Sequence, residues 1–323
     1  MAAACRIVVS GVGTVSPVGT GNGMFWKNLI QGRSGVGYLE SVPGNAFPAP
    51  LAAEIRDFNP LDHVYCRKFL KVMSRDIQLG VAAATLATQD AGLEQGVCDP
   101  DRLGVVFGAG RISTRPEDLV RAVSDNTGST STFDPAQWGE DNLGRIAPLW
   151  LLKRLPNMPA CHVAIQHDAR GPNNTVTSRD ASALLALAEG VSVIERGAAD
   201  AMIVGACSSH IHPVDLTKFN LFLDLTRRVE DPETACRPFD ATRDGTVIGE
   251  GAAAFVIERL EHAERRAAPI YAEILGVGAG CDGADDTHKR HGRGVARAVQ
   301  TALRRAGIQP GDIGHINADG KST

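Results

Sequence analysis

Short apolar runs bounded by glycine alternate with alanine-rich segments of helical period along most of this chain. A short, continuous apolar run is typical of a strand that is buried on both faces, as in sheets that helices cover on both sides. The alternation therefore predicts an α/β fold. The expected strands are residues 5–10, 103–108, 174–177, 201–205, 252–257, 271–277 and 315–318.

Three segments between these strands have the 3.6-residue period of helices. Residues 75–91 place apolar side chains on one face, and residues 181–196 are apolar on most faces, which indicates a helix buried within the fold. Residues 293–306 carry valine, alanine and leucine on one side and arginine on the other. Gly307 follows as the expected C-terminal cap of this helix.

Composition excludes several classes of protein. The chain has 323 residues, of which 43% are apolar and 22% charged, so it is globular and suits one large domain or two ordinary ones. It has 33 Lys and Arg residues and 37 Asp and Glu residues, which gives a net charge of −4. No general basic field exists to bind nucleic acid or an anionic membrane. Residues 111–142, rich in polar residues and glycine, are expected to form a surface loop.

The cysteines and the first residues indicate a cytoplasmic protein. The seven cysteines are scattered, without a C-x-x-C pair, so neither a disulfide framework nor a zinc knuckle is expected. The opening MAAACRIVVSG has no charged segment before a long apolar run, and no apolar stretch approaches the roughly 20 residues of a membrane span.

Four segments carry a family resemblance. They are RIVVSGVGTVSPVGTGNGMFWKNLIQGRSGV, LPNMPACHVAIQHDARGPNNTVT, RPFDATRDGTVIGEGAAAFVIERLEHAERRAAPIYAEILGVG and GHINADGKST. In this order and spacing they resemble the β-ketoacyl-[acyl-carrier-protein] synthase family, the condensing enzymes of the thiolase superfamily. The resemblance spans nearly the whole chain.

The resemblance implies a layered α-β-α-β-α sandwich built from two pseudo-symmetric α/β halves. Residues 1–258 correspond to the first half, and residues 259–323 to the start of the second, which looks incomplete. The family dimerises through a strand near the nucleophile, so a homodimer, or a heterodimer with an active ketosynthase, is expected. An acyl carrier protein is the expected partner, with its phosphopantetheine arm carrying the substrate, and no other cofactor is expected.

Asp180 occupies the position of the family's nucleophilic cysteine. The family places that cysteine at the start of a buried helix, where the helix dipole favours a thiolate and backbone N–H groups form an oxyanion hole. Here the junction is NNTVTSRDASALLALAEG, and a carboxylate is a poor nucleophile toward a thioester. Aspartate is also a favoured residue at helix starts, and helix capping is the preferred interpretation of Asp180.

The segment that carries the first catalytic histidine of the family is also altered. Asp319 stands at the histidine position, and Lys321 replaces the first of two threonines that hydrogen-bond the phosphopantetheine arm in the family. Lys321 and Thr323 are therefore candidate substrate-binding residues. The second family histidine corresponds to a position after residue 323, and we suspect a missing segment or completion by another chain.

The sequence ACSS, with Cys207 at its centre, resembles the nucleophile motif of many ketosynthases but lies at the wrong place relative to RPFD. A small buried thiol at a strand end is the favoured interpretation. A zinc site from Cys207, His210 and His212 would lack a fourth ligand.

Three functions follow from the residues and the resemblance. The first is a β-ketoacyl synthase of fatty-acid or polyketide synthesis, against which the missing cysteine and histidine argue directly. The second, which we favour, is a non-condensing homologue that pairs with an active ketosynthase as chain-length factors do. The third is an altered enzyme: an active acyltransferase or condensing enzyme with altered catalytic residues, or an acyl-thioester hydrolase or hydratase in which Asp180 and Asp319 act as general acid and base.

Overall fold

The computed structural model describes residues 5–42, 47–113, 115–128, 132–283 and 292–323. Its strands are β1 Ile7–Ser16, β2 Gly19–Thr20, β3 Gly37–Tyr38, β4 Leu51–Ala53, β5 Leu103–Ala109, β6 Asn173–Val176, β7 Ala201–Ser209, β8 Ile248–Arg259 and β9 Ala272–Glu273. Its helices are α1 Asn22–Ile30, α2 Arg75–Asp90, α3 Pro116–Thr127, α4 Pro135–Gln137, α5 Met158–His167, α6 Ser182–Glu195, α7 Pro213–Phe222, α8 Pro232–Ala235, α9 Leu260–Arg265 and α10 Arg293–Ala306. In the described ranges no helix combines the length and the apolar character that a bilayer crossing requires.

The main sheet is mixed, with the strand order β2-β1-β8-β7-β5-β6. Strand β5 pairs in parallel with both β6 and β7, whereas β8 pairs antiparallel with β7 and β1. The carboxyl ends of β5, β6 and β7 therefore meet at one edge of the sheet, where ligand sites of α/β proteins commonly lie.

Helices cover both faces of the sheet, which is the arrangement expected of an α/β fold. Val105 and Phe107 of β5 pack in a cluster with α2 and α5, and Val106 and Val204 pack in a second cluster with α6. Every residue of β5 is buried, because alternate side chains enter opposite layers.

A glycine brings the start of α6 against the end of β5. A Cβ atom on Gly108 would lie 2.6 Å from the backbone of Ser182, closer than any real contact. The missing side chain therefore allows the first turn of α6 to sit directly on the sheet, next to the carboxyl ends of the parallel strands.

Most of the predicted elements are confirmed. Residues 75–91, 181–196 and 293–306 correspond to α2, α6 and α10, and Gly307 is the C-cap of α10 with a φ of 68°. The strands expected at 103–108 and 174–177 are β5 and β6. The strands expected near residues 5, 201 and 252 are β1, β7 and β8, each longer than predicted.

Three predictions of local structure need correction. Residues 271–277 form only the two-residue strand β9, and residues 315–318 form no strand. The described part of the chain pairs no strand with residues 315–318, and an extended segment without a partner gains no ladder hydrogen bonds. The stretch 111–142, expected to be a loop, contains helix α3 among its described residues.

A buried carboxylate anchors β8 to the rest of the fold. The side chain of Glu258 is fully buried and accepts hydrogen bonds from Ser10, His262 and Arg266. Burial raises the pKa of Glu258, but the hydrogen bonds from Arg266, His262 and Ser10 outweigh it and lower the pKa to about 2. Interactions with Cys98 and Glu258 raise the pKa of His262 from 6.5 to about 9.

The raised pKa of His262 predicts a loss of stability at alkaline pH. Its contribution is complete below pH 6.5, the value of an unperturbed histidine, and is lost as the pH rises through about 9. We expect the free energy of unfolding, measured by urea titration, to fall by at most about 3 kcal/mol across this window. In His262→Gln the fall should be much smaller, and equal falls in both proteins would contradict this assignment.

Candidate active site

Asp180 lies at the edge of the sheet where the three parallel strands end. After β6 the chain makes a 3-10 turn at Arg179–Ala181 and enters α6 at Ser182. Arg179 has a φ of 50°, in the left-handed region, and the backbone N–H of Ser178 donates to Ser182 Oγ over 2.7 Å. This turn directs the Asp180 side chain outward, and it is 75% exposed.

The Asp180 carboxylate forms an ion pair with the Lys321 ammonium group. This pairing corrects the interpretation of Asp180 as a helix cap, because neither the 3-10 turn nor α6 has a side-chain capping hydrogen bond. The hydrogen bond from Lys321 lowers the pKa of Asp180 against the opposing effect of burial. Asp180 is therefore an ionised carboxylate with a bound cation.

The RPFDATRDG motif holds the segment that carries Lys321. The backbone N–H of Arg237 donates to Ser322 Oγ over 3.0 Å, and that of Gly245 donates to the Ser322 carbonyl oxygen over 3.0 Å. Arg243 Nε donates to the carbonyl oxygen of Thr323 over 3.0 Å. Ser322 is buried by these contacts, so the neighbouring lysine side chain is fixed at its base and reaches toward Asp180.

Three of the four predicted site residues come together. Lys321 Nζ pairs with Asp180 and lies 4.0 Å from Asp319 Oδ2, so one ammonium group faces two carboxylates. Asp319 is 80% exposed. Thr323 is held through its backbone on the motif side of the segment, and the residue is exposed there.

This arrangement is poorly suited to acid–base chemistry by the two aspartates. A carboxyl group that acts as a general acid near neutral pH needs a raised pKa, which burial or a neighbouring unneutralised charge produces. The pKa of Asp180 is lowered instead, and Lys321 lies between Asp180 and Asp319. The ammonium group favours the ionised form of the carboxylate that it binds.

A second polar cluster lies at the end of β7 and was not predicted from the sequence as a catalytic group. Ser208 alternates with Cys207 along β7, so it projects toward the face of the sheet that α6 covers, and His210 follows directly after β7 ends. Ser208 Oγ lies 3.1 Å from His210 Nε2, and His210 Nδ1 lies 3.8 Å from Asp215 Oδ2. The alternation of polar residues in SSHIH at a strand end is the signal that could have indicated this cluster.

Cys207 faces the opposite side of the sheet. Its side chain packs in the cluster with α2, where a Cβ atom on Gly80 would lie 2.9 Å from its sulfur. Burial raises the pKa of the Cys207 thiol well above its ordinary value, so it is a structural residue and not a nucleophile. Among the described residues no group of three His, Cys, Asp or Glu side chains is arranged to hold a metal ion, so the zinc alternative has no support.

A cleft of about 670 Å³ opens at the other end of the parallel strands. Its lining includes Leu103, the first residue of β5, together with His63 and Gln166. None of the four predicted site residues lines this cleft. The edge of the sheet that carries Asp180, Asp319 and Lys321, called the charged edge below, is therefore separate from the cleft.

Comparisons with known proteins agree with the fold and the motifs. Residues 4–263 match the family domain described as "Beta-ketoacyl synthase, N-terminal domain", and residues 271–323 match "Beta-ketoacyl synthase, C-terminal domain". The chain is 35% identical over 321 residues to 3-oxoacyl-[acyl-carrier-protein] synthase 2 of Staphylococcus aureus strain COL, covering 98% of this chain and 73% of that protein.

Two solved ketosynthase structures share the fold. One is AntDE:AntF, a type II PKS acyl-carrier protein in complex with its ketosynthase bound to the hexaketide, with a TM-score of 0.81 and 27% identity over 99% of this chain and 74% of that one. The other is the ishigamide ketosynthase/chain length factor, with a TM-score of 0.78 and 28% identity over 96% of this chain and 72% of that one.

The exposed ion pair predicts a small effect of Asp180 on stability. Ion pairs between exposed side chains contribute between zero and about 1 kcal/mol, so Asp180→Ala should change the free energy of unfolding by less than about 1 kcal/mol. Asp180→Asn should behave alike, and a double-mutant cycle with Lys321→Ala should give a coupling free energy below about 1 kcal/mol. A loss of about 2 kcal/mol in Asp180→Ala that Asn restores would indicate capping instead.

Proposed function

Because this chain belongs to the β-ketoacyl synthase family, we propose that it is a non-condensing member that acts beside an active ketosynthase in fatty-acid or polyketide synthesis. In this proposal it resembles a chain-length factor and shapes the assembly without forming the carbon–carbon bond. The observation that carries the proposal is the ion pair of Asp180 with Lys321 at the position of the family's nucleophile.

The chemistry of condensation supports this proposal. The family reaction needs a thiolate that takes up the acyl chain and imidazole groups that promote decarboxylation of the extender unit. An ionised carboxylate bound to an ammonium group is a weak nucleophile, and a mixed anhydride formed on it would be a poor store for an acyl chain. Asp319, at the position of the first imidazole, brings a second negative charge where the family has a neutral or cationic ring.

We further propose an acyl carrier protein as the partner of the charged edge. The AntDE:AntF ketosynthase, 27% identical to this chain, is bound to such a carrier protein. Lys321 and Thr323 correspond to the family positions that contact the phosphopantetheine arm, and both lie on the segment that the RPFDATRDG motif fixes. Thr323 keeps a hydroxyl for such a contact, whereas Lys321 would have to exchange its bond to Asp180 for one to the arm.

A second chain is proposed to pair along β6. In the described sheet β6 lies at the end of the strand order, next to β5, and its residues Asn173 and Asn174 are exposed. An open strand edge offers unpaired N–H and C=O groups to a neighbour. Leu184 in the first turn of α6 is 73% exposed, which adds apolar surface close to this edge. Both a homodimer and a heterodimer with an active ketosynthase would use this surface.

The other candidate function is an acyl-thioester hydrolase or hydratase that works through Asp180 and Asp319. Its support is the proximity of both carboxylates to one ammonium group. A general acid must hold a proton near neutral pH, and the lowered pKa of Asp180 disfavours this. We therefore rank this function below the non-condensing one.

Asp180→Cys tests whether the missing thiol alone abolishes condensation. We expect no β-ketoacyl product from the natural chain or from Asp180→Cys with acyl- and malonyl-carrier-protein thioesters, since Asp319 and Lys321 still occupy the positions of an imidazole and a hydroxyl. Mass spectrometry of the carrier-bound product is the measurement, with an active ketosynthase as positive control and Asp180→Asn as matched variant. Clear product formation by either protein would contradict the proposal.

Pairing through β6 predicts the state of association in solution. Sedimentation velocity at micromolar concentration should show a dimer of the chain alone, or a heterodimer once an active ketosynthase is added. A chain that remains monomeric in both experiments would contradict this part of the proposal.

A further inference from the structure

The side chains of Ser208, His210 and Asp215 form a chain of contacts beside the charged edge. The hydroxyl group of Ser208 lies 3.1 Å from His210 Nε2, which is within hydrogen-bond distance. The other ring nitrogen, Nδ1, lies 3.8 Å from Asp215 Oδ2. A hydroxyl, an imidazole and a carboxylate in this order are the parts of an activated serine nucleophile.

Asp215 and Phe219 border the imidazole on two sides, and the 3.8 Å from His210 Nδ1 to Asp215 Oδ2 is an ionic distance, longer than a hydrogen bond. Asp215 lies in the first turn of α7, is buried, and accepts a 2.7 Å hydrogen bond from Ser113 Oγ. On the other side the ring of Phe219 meets the His210 ring edge-on, with centroids 4.8 Å apart and an angle of 88° between the planes. The His210 side chain nevertheless keeps 39% of its surface exposed, so the ring is both oriented and reachable.

Three carboxylates lie within electrostatic range of this imidazole. Asp215 is the nearest, and the electrostatic influence of His210 also extends to Asp180 at the start of α6 and to Asp76 at the start of α2. The histidine therefore belongs to the same edge of the sheet as the Asp180–Lys321 pair.

Neighbouring nucleophiles are engaged elsewhere. Ser209 Oγ donates to Glu250 Oε2 over 2.8 Å, and the backbone N–H of Ser209 donates to Asp76 over 2.8 Å. The hydroxyl group of Ser113 is directed to Asp215. Ser208 is thus the serine of this region whose hydroxyl contacts an imidazole.

We propose that Ser208 is an acyl-accepting nucleophile, with His210 as its general base and Asp215 as the positioning residue of His210. The chemical class of substrate is an acyl thioester, an assignment that rests on the proposed place of this protein in carrier-dependent acyl synthesis. Asp180 offers no thiol for the acyl transfer of the family, whereas Ser208 offers a hydroxyl group at the same edge of the sheet.

The proposed reaction is an acyl transfer followed by hydrolysis. Ser208 Oγ attacks the thioester carbonyl carbon while its proton passes to His210 Nε2, and the C–S bond then breaks. The leaving thiolate takes the proton from the imidazolium, giving a free thiol and an acyl-serine ester. Water attacks the ester by the same proton transfers and releases a carboxylic acid, so no oxidant, reductant or further co-reactant is needed.

An alkyl fluorophosphonate, which phosphonylates activated serine hydroxyls, tests the nucleophile without any assumption about the substrate. Intact-protein and peptide mass spectrometry should locate one adduct on Ser208, absent in Ser208→Ala and retained in the matched control Ser209→Ala. His210→Gln should slow labelling by about 100-fold or more. Ser208→Ala changes a single oxygen atom, and its unchanged thermal unfolding would show that it folds.

The role of Asp215 is tested by the pH dependence of labelling. In Asp215→Asn the rate should fall, and the midpoint of its rise with pH should move to lower pH, because the imidazolium loses a stabilising charge. A purely structural role of Asp215 would alter thermal unfolding without moving this midpoint, and that result would overturn its assignment as positioning residue.

A second measurement separates this proposal from the proposed function. Incubation with a radiolabelled acyl-carrier-protein thioester should give an acyl adduct on Ser208 and released fatty acid, both lost in Ser208→Ala. Phosphonate labelling without any acyl adduct would support the nucleophile and overturn acyl thioesters as its substrates. No phosphonate adduct on Ser208, or equal labelling in His210→Gln, would overturn the nucleophile itself, whatever the outcome of the condensation assay.

Discussion

The parallel pairing of β5 with β6 and β7 is the constraint on which the candidate site depends. The registers that pair Gly108 with Val176 and with Ala206 bring three carboxyl ends to one edge of the sheet. The turn with Asp180 continues from β6, and the polar cluster with Ser208 ends β7. A shift of one residue in either pairing would turn these side chains toward the opposite layer.

The antiparallel half of the sheet supplies the mechanical support for that edge. Strand β8 runs between β7 and β1, and its fully buried Glu258 is fixed by charged and polar neighbours from β1 and α9. At the other end of β8, Glu250 binds the guanidinium group of Arg75 and the hydroxyl group of Ser209. The same strand thus joins the buried ion network to the residue next to the proposed nucleophile.

The charged edge carries an ion pair between a carboxylate and an ammonium group, whereas a condensing site needs a thiolate. The ammonium group that pairs with Asp180 weakens the carboxylate as a nucleophile and leaves a polar, exposed pair. His210 is positioned differently, since its ring packs edge-on against Phe219 and lies 3.8 Å from Asp215. The two groups give the edge a fixed ion pair and an oriented imidazole, which is a different set of chemical groups from a cysteine with two histidines.

Periodicity and glycine positions were sufficient to predict the α/β class and the helices α2, α6 and α10, because burial on a helix face leaves a clear pattern in the sequence. Through the family resemblance, the motifs predict that Asp180 and Asp319 lie near one another, with Lys321 two residues after Asp319. The sequence could not show which side chain Asp180 binds. Capping is a local interaction that spacing indicates, whereas the bond to Lys321 joins residues 141 positions apart. The contact of Ser208 with His210 is local but depends on the course of the chain after β7 ends.

A carboxyl ¹³C NMR titration of Asp180, in the natural chain and in Lys321→Met, tests directly whether the ion pair forms. We expect the pKa of Asp180 to lie below the ordinary value of 3.8 in the natural chain and to rise toward that value when the ammonium group is removed. A pKa above 3.8, unchanged in Lys321→Met, would show that the ion pair does not form in solution. Asp180 would then not be the neutralised carboxylate on which the proposed function rests.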